Sequence, residues 1–218
     1  MKLEIVNTSV VVLAQQYNPT VLHPAFLTSE EIVPADWQVA EAPLCTILGS
    51  VVKYVNGLVF ITESNKFQLI DNKPPDDLGA SQVPPLAAKY IRRLPHTHYT
   101  AVGVNMLGFV ACSNPEAILI ERFLKAGVWN EDPLKPQALG LRFVYQVPQA
   151  VLHLSCNAGT FGRDQESDQK AGILLDANYH TDISAAASLE EAEKAIALFS
   201  QRYAHFTEVT KIIFELEN

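Results

Sequence analysis

Paired cysteines, positive charge and long hydrophobic runs are all scarce in this 218-residue chain, and each scarcity removes a class of protein. Cysteine occurs only at Cys45, Cys112 and Cys156, an odd number, widely spaced and without a C-x-x-C pair. That pattern excludes a disulfide framework and predicts buried, reduced thiols in a cytoplasmic protein. Lysine and arginine number 16 against 24 acidic residues, a net charge of −8. Binding phosphate backbones or anionic lipid needs clustered cations, and only Lys89, Arg92 and Arg93 cluster, so neither nucleic acid nor membrane is an expected partner. The apolar run Val10–Ala14 is short, and Glu4 and Asn7 interrupt the region a signal peptide would need. No stretch approaches the roughly 20 apolar residues of a membrane-spanning helix.

The common motifs are missing as well. There is no Gly-x-Gly-x-x-Gly, no phosphate-binding loop ending in Gly-Lys-Ser/Thr, no His-Glu-x-x-His and no Gly-x-Ser-x-Gly. The usual signposts of nucleotide enzymes, zincins and serine hydrolases are therefore gone, and no cofactor is expected.

What remains is ordinary globular material, 48% hydrophobic and 18% charged, long enough for one large domain or two small ones. The most informative stretch is His98–Cys112. Thr100, Val102, Val104, Met106 and Val110 alternate with Ala101, Gly103, Leu107 and Phe109, so a strand with both faces covered is expected. Leu3–Leu13 reads as a similar strand, rich in β-branched residues. Between them the pattern predicts a short helix near Pro24–Ile32, strands Leu44–Val55 and Leu58–Glu63 joined through Asn56-Gly57, a strand Lys66–Asp71, a loop to Gln82, and a helix Val83–Leu94. After His98–Cys112 come a helix capped by Asn114-Pro115, strands Leu141–Val147 and Val151–Cys156, a loop Asn157–Gly172 and a strand Ile173–Ile183. A last helix is opened by the capping box Ser188–Glu191, and Val209–Leu216 carries both helical and strand patterns.

Set side by side, the halves correspond. Val6-Asn7 answers Val104-Asn105, Asn18-Pro19 answers Asn114-Pro115, Trp37 answers Trp129, Tyr54 answers Tyr145, and Arg93 with His96 answers Arg202 with His205. The fold expected is α+β: a tandem duplication of a strand–helix–strand–strand–strand–helix unit, a mostly antiparallel sheet with helices packed on one face, and a pseudo-two-fold axis. The copies are 1–97 and 98–218, packed as one domain. Such a domain has a groove on the pseudo-axis, where equivalent residues of both copies converge; in architecture alone it resembles the duplicated strand–helix–strand–strand modules of some bacterial small-molecule sensors.

Three constellations have residue types that chemistry uses. His180 and Asp182, two apart on one strand face with Asp176 beyond them, are the candidates for acid–base catalysis. Asn7 and Asn105 at equivalent positions, with Asn178, are the candidates for binding a ligand. His96 and His98 have the spacing of a metal pair on an extended segment, but a third ligand is lacking nearby. The expected function is a non-enzymatic binding or interaction domain, taking a small molecule in the groove between copies or associating with itself as a dimer through a sheet edge. An enzyme built on His180 and Asp182, or a structural subunit with a wide apolar patch, are the alternatives.

Overall fold

A computed structural model describes residues 1–162 and 169–216. In chain order these form β1 (Leu3–Ala14), α1 (Pro24–Ser29), β2 (Leu44–Cys45), β3 (Gly49–Lys53), β4 (Leu58–Glu63), β5 (Lys66–Asp71) and α2 (Val83–Arg92). There follow β6 (Tyr99–Ala111), α3 (Pro115–Phe123), β7 (Leu141–Val147), β8 (Ala150–Phe161), β9 (Lys170–Asp182), α4 (Ser188–Ala197) and α5 (Phe199–Phe214). The protein is α+β: among the described residues, five α-helices accompany one antiparallel sheet of nine strands, in the order β2-β3-β4-β5-β1-β6-β9-β8-β7.

The two long apolar strands lie at the middle of that sheet. β1 and β6 pair from Leu3↔Val110 to Ala14↔Tyr99, with an irregularity between Ile5 and Asn7. The join between residues 1–97 and 98–218 is therefore a backbone-hydrogen-bonded ladder and not a groove. Burial follows the period of two. Val10, Val12, Leu69, Val104, Met106 and Tyr179 point to one side and enter a single core with the helices. α2 packs on β1 and β5, α3 on β8 and β9, and α4 and α5 on β6. Rings anchor this layer: Phe67 stacks on Tyr90 with centroids 3.9 Å apart, and Phe26 meets Tyr90 edge-on.

Local chemistry accounts for most boundaries. At Asn56-Gly57 the glycine takes φ +98°, which a side chain resists, and the turn closes with Gly57 N–H donating to Tyr54 C=O. Asn114 Oδ1 accepts from Ala117 N–H (3.3 Å) and starts α3. His23 does the same for α1 through Nδ1 (3.2 Å).

Several expectations are corrected. The expected strand Leu44–Val55 breaks into β2 and β3, because Thr46 Oγ1 turns back to hydrogen-bond Gly49 C=O (2.7 Å). β8 and β9 run on through Phe161 and from Lys170, so the loop expected over Asn157–Gly172 shortens, and its centre lies outside the described residues. The capping box does not close on Ser188: a 3-10 turn precedes α4, and the Glu191 carboxylate accepts from Ser184 N–H (2.6 Å). The last helix divides at Leu198, and residues up to Phe214 are helical. Among the described residues, Val102, Val104, Met106 and Val110 of β6 enter the core with the helices. On the far side Ala101, Gly103 and Phe109 are nevertheless buried; a Cβ on Gly103 would lie 3.0 Å from Asn178 Nδ2. No helix among the described residues is long and apolar enough to cross a membrane.

Candidate functional site

Three rows of side chains cross the sheet on the side away from the helices. The register sets the middle row as Ile70, Ser9, Asn105, Asn178, His153 and Val144, from β5 through β1, β6, β9 and β8 to β7. On one side of it run Ile61, Gln68, Val11, Gly103, His180 and Val151, and on the other Asn7, Leu107, Asp176, Ser155 and Arg142. Alternation alone puts these residues on one face; strand order makes them neighbours.

Hydrogen bonds join the middle row into a ladder. Ser9 Oγ accepts from Gln68 Nε2 (3.4 Å) and from Asn105 Nδ2 (3.2 Å), and Asn105 Oδ1 accepts from Asn178 Nδ2. Ser9 is buried, so an unpaired hydroxyl or amide here would cost the desolvation of the group; the ladder avoids that. Further along, Arg142 Nη2 lies 3.3 Å from His153 Nδ1. The ladder thus passes from amides and a hydroxyl at the centre to a basic end on β7 and β8. The β3–β5 end is apolar, with Val51, Ile61 and Ile70 half-buried on the same face.

His180, Asp182, Asp176 and Asn178 all lie on this face of β9, and Asn7 and Asn105 on the same face of β1 and β6. His180 Nε2 contacts Asp182 Oδ1 at 3.0 Å, but the Asp182 side chain is 92% exposed and water screens the pair. Asp176 stands four residues from His180, roughly 13 Å along the strand. Burial raises its carboxyl above the usual range. The three do not converge on one point, as shared acid–base work would require. Asn7 and Asn105 sit diagonally, since Asn105 pairs with Ser9 and Asn7 with Leu107. The hydrogen bonds of Asn105 run to Ser9 and Asn178.

His96 and His98 precede β6, both exposed, and line a cleft of about 600 Å³ with Ser188 and Glu190. Lys194 holds the Glu190 carboxylate at 2.6 Å. Among the described residues no three His, Cys, Asp or Glu side chains come together as a metal site. Another cleft, of about 690 Å³, is bounded by Lys2, Ile5, Pro75, Phe109 and Tyr203; neither cleft includes a ladder residue.

Protein-family models and curated protein sequences yield no match to this chain.

Ser9, Gln68, His153 and Arg142 are the site residues that sequence reasoning missed. A signal was present for Ser9: Asn7-Thr8-Ser9 is a polar tripeptide inside an otherwise apolar strand, so polar residues had to fall on both of its faces. Gln68 alternates with Phe67 and Leu69 in the same way. Cys156, by contrast, is a core residue; burial pushes its thiol up to about 12.

Proposed function

We propose that this chain is a non-enzymatic interaction domain that receives a partner protein on the open face of its sheet. The observation that carries this is the Gln68–Ser9–Asn105–Asn178 ladder, a hydrogen-bonded polar run on the face of the sheet opposite the core that, among the described residues, the helices share. Small-molecule sites are concave and bury most of the ligand, whereas this row lies on a broad sheet surface. The three rows cross about six strands, five spacings of about 4.8 Å, and so span roughly 24 Å by 20 Å, or about 480 Å². That is about three-fifths of the roughly 800 Å² each partner contributes to a standard protein interface, and the apolar β3–β4 flank adds to it. Half-buried Val11, Leu13, Ile61 and Ile70 supply apolar area on one flank. The ladder amides, Asn105 and Asn178 with neighbouring Asn7, supply direction: a partner lacking matching donors and acceptors leaves them unpaired.

In this reading residues 1–97 and 98–218 are two copies of a strand–helix–strand–strand–strand–helix unit packed as one domain, related by a pseudo-two-fold axis between β1 and β6. The strand order supports it, running outward as β1-β5-β4-β3 on one side and β6-β9-β8-β7 on the other. α1 and α3 follow the first strand of each half, and α2 and α4 the last. The axis then pierces the open face beside the ladder, where residues from both copies meet. Three correspondences depart from it. Trp37 packs on Tyr54 at 5.3 Å while Trp129 is exposed, Arg202 lies in α5, beyond the counterpart of α2, and Asn18-Pro19 opens a 3-10 turn ahead of α1 while Asn114-Pro115 opens α3. The three cysteines are unpaired, which supports a reducing, cytoplasmic setting, but only Cys156 is buried as expected; Cys112 is half-buried and Cys45 exposed.

The test is site-specific photo-crosslinking in intact cells. A photoreactive side chain at Gln68 or His153 is expected to yield one discrete product, with a partner protein or a second copy, that is absent when the probe replaces exposed Ser200 on α5. Absence of a product at both open-face positions, or the same product from Ser200, overturns the proposal.

A further inference from the structure

The sheet has two edges, and they are treated differently. At one, β2 is two residues long and follows Pro43. The outward groups of the β3 region beside it are also occupied: Lys53 C=O accepts from Ala40 N–H (2.8 Å), and Val55 N–H donates to Gln38 C=O (3.0 Å). Short strands, proline and covering segments are the devices that keep sheet edges from pairing with other chains.

β7 carries none of them. Its seven residues, Leu-Arg-Phe-Val-Tyr-Gln-Val, contain no proline and a single charge. The ladder with β8 closes at Val147↔Ala150 across the two-residue turn Pro148-Gln149. That closing pair has to be hydrogen-bonded, so Val147, Tyr145, Phe143 and Leu141 spend their backbone groups on β8. The N–H and C=O of Arg142, Val144 and Gln146 point outward, and among the described residues no backbone hydrogen bond outside the β8 ladder reaches them. The turn is held firm from the core side, where the buried Arg202 donates through Nη2 to Pro148 C=O (2.7 Å).

We propose that β7 is a self-association edge, at which a second copy of this chain pairs antiparallel about a two-fold axis through Val144. The strand is complementary to itself in this register. Val144 meets its own copy and Arg142 meets Gln146, so all six outward backbone groups of each chain are paired. The alternatives are poorer. Centring on Arg142 sets two guanidiniums face to face, centring on Tyr145 or Gln146 sets Arg142 or Val144 against Pro148, which has no N–H, and centring on Phe143 sends Gln146 to Gly140, beyond the strand. On the helix side the chosen register places Phe143 opposite Tyr145 of the second copy. These two rings already stack within the chain, with centroids 5.9 Å apart, so the dimer gathers four rings across the axis. Val144 is 56% exposed in the single chain, and pairing would cover it. This inference stands on the edge and not on the face, so it holds whatever covers the ladder.

Sedimentation velocity on the full chain tests it, over concentrations up to about 100 µM, a range that detects micromolar association. The expected result is a concentration-dependent rise toward twice the 24.0 kDa chain mass. Val144→Pro removes an outward N–H without touching the β8 ladder, and Val144→Lys sets like charges across the axis; both are expected to return the single-chain mass while the melting temperature stays within a few degrees. Should the proline variant unfold, the lysine variant decides. Ile47→Lys, at the exposed β2–β3 tip, is expected to leave the dimer intact.

The register is read by oxidation in a Cys45→Ser, Cys112→Ser background. Hydrogen-bonded antiparallel pairs place Cα atoms about 5.5 Å apart, within disulfide reach. Val144→Cys should therefore cross-link to itself, and Arg142→Cys only when mixed with Gln146→Cys. A single-chain mass at every concentration, a dimer that survives both Val144 variants, or cross-linking of Arg142→Cys to itself overturns the proposal.

Discussion

Thr8 and Ser9 are neighbours in β1, carry the same functional group, and occupy opposite media. Thr8 points into the helix-covered layer, where its buried hydroxyl has no hydrogen-bond partner. Ser9 points to the open face, where its hydroxyl accepts from two amides. Phe67 and Gln68 repeat the contrast on β5: the ring is fully buried and stacked on Tyr90, and the amide reaches Ser9. One side of the sheet is thus organised by volume, tolerating an orphaned hydroxyl inside a well-packed layer. The other is organised by direction, with its central polar groups paired. Ser9 is buried on this side too, so its hydroxyl depends on those amides and not on solvent.

The sharpest way to break the comparison is a pair of adjacent truncations. Phe67→Ala should cost about 3–5 kcal/mol, as expected for emptying a large buried ring site, and Gln68→Ala about 1 kcal/mol or less. Denaturant unfolding with an unchanged m-value measures both; equal losses would mean that the two faces are equally buried. Next in size is Asn105→Leu. It removes the centre of the ladder and leaves Ser9 and Asn178 each short of a partner, an expected loss of about 1–3 kcal/mol. His153→Ala at the rim should cost less than half of that in the same assay.

Replacing Thr8 by Val removes an unsatisfied hydroxyl at nearly constant shape and should raise stability by about 1 kcal/mol, whereas Ser9→Ala should lower it by a similar amount. Opposite signs at adjacent positions are the outcome to look for. A loss at Thr8 would show that its hydroxyl is satisfied in solution.

The smallest effect expected is at Asp71, a buried carboxylate on the helix-covered side. Burial raises its pKa, and the Lys73 N–H, 2.8 Å from Oδ1, pulls part of the way back. The folded pKa lies above the unfolded one, so between them the native state binds more protons than the unfolded state. Stability therefore falls as pH rises through that window and stays lower above it. Asp71→Asn keeps the acceptor for Lys73 and removes the charge. It should give a small gain at neutral pH and none below the unfolded carboxylate range, which thermal melts across the acid limb would resolve.

Much of the fold was legible because its signals are local. β5 and β7 have the bounds that alternation and flanking turns predict, and the Asn56-Gly57 turn needs only its own glycine. Two misreadings came where one pattern served two structures. Leu44–Val55 looks like a single strand until Thr46 folds back on Gly49, and the continuous helical pattern after Ser188 hides the break at Leu198. The candidate site was legible in part for the same reason. Asp176, Asn178, His180 and Asp182 share a strand and so a face, but Ser9 and Gln68 belong with Asn105 only through pairing with other strands.

By itself, then, the chain's sequence determined which residues alternate, where the turns fall, and that two long apolar strands begin its halves. Tertiary structure alone decided that β1 and β6 lie side by side, which face the helices cover, and that residues 9, 68, 105 and 178 join in one hydrogen-bonded ladder. The reason is physical: a period of two sorts side chains onto two faces but does not label them. Only the packing of helices against one of those faces, and the register of strands far apart in the chain, says which is core and which is left open.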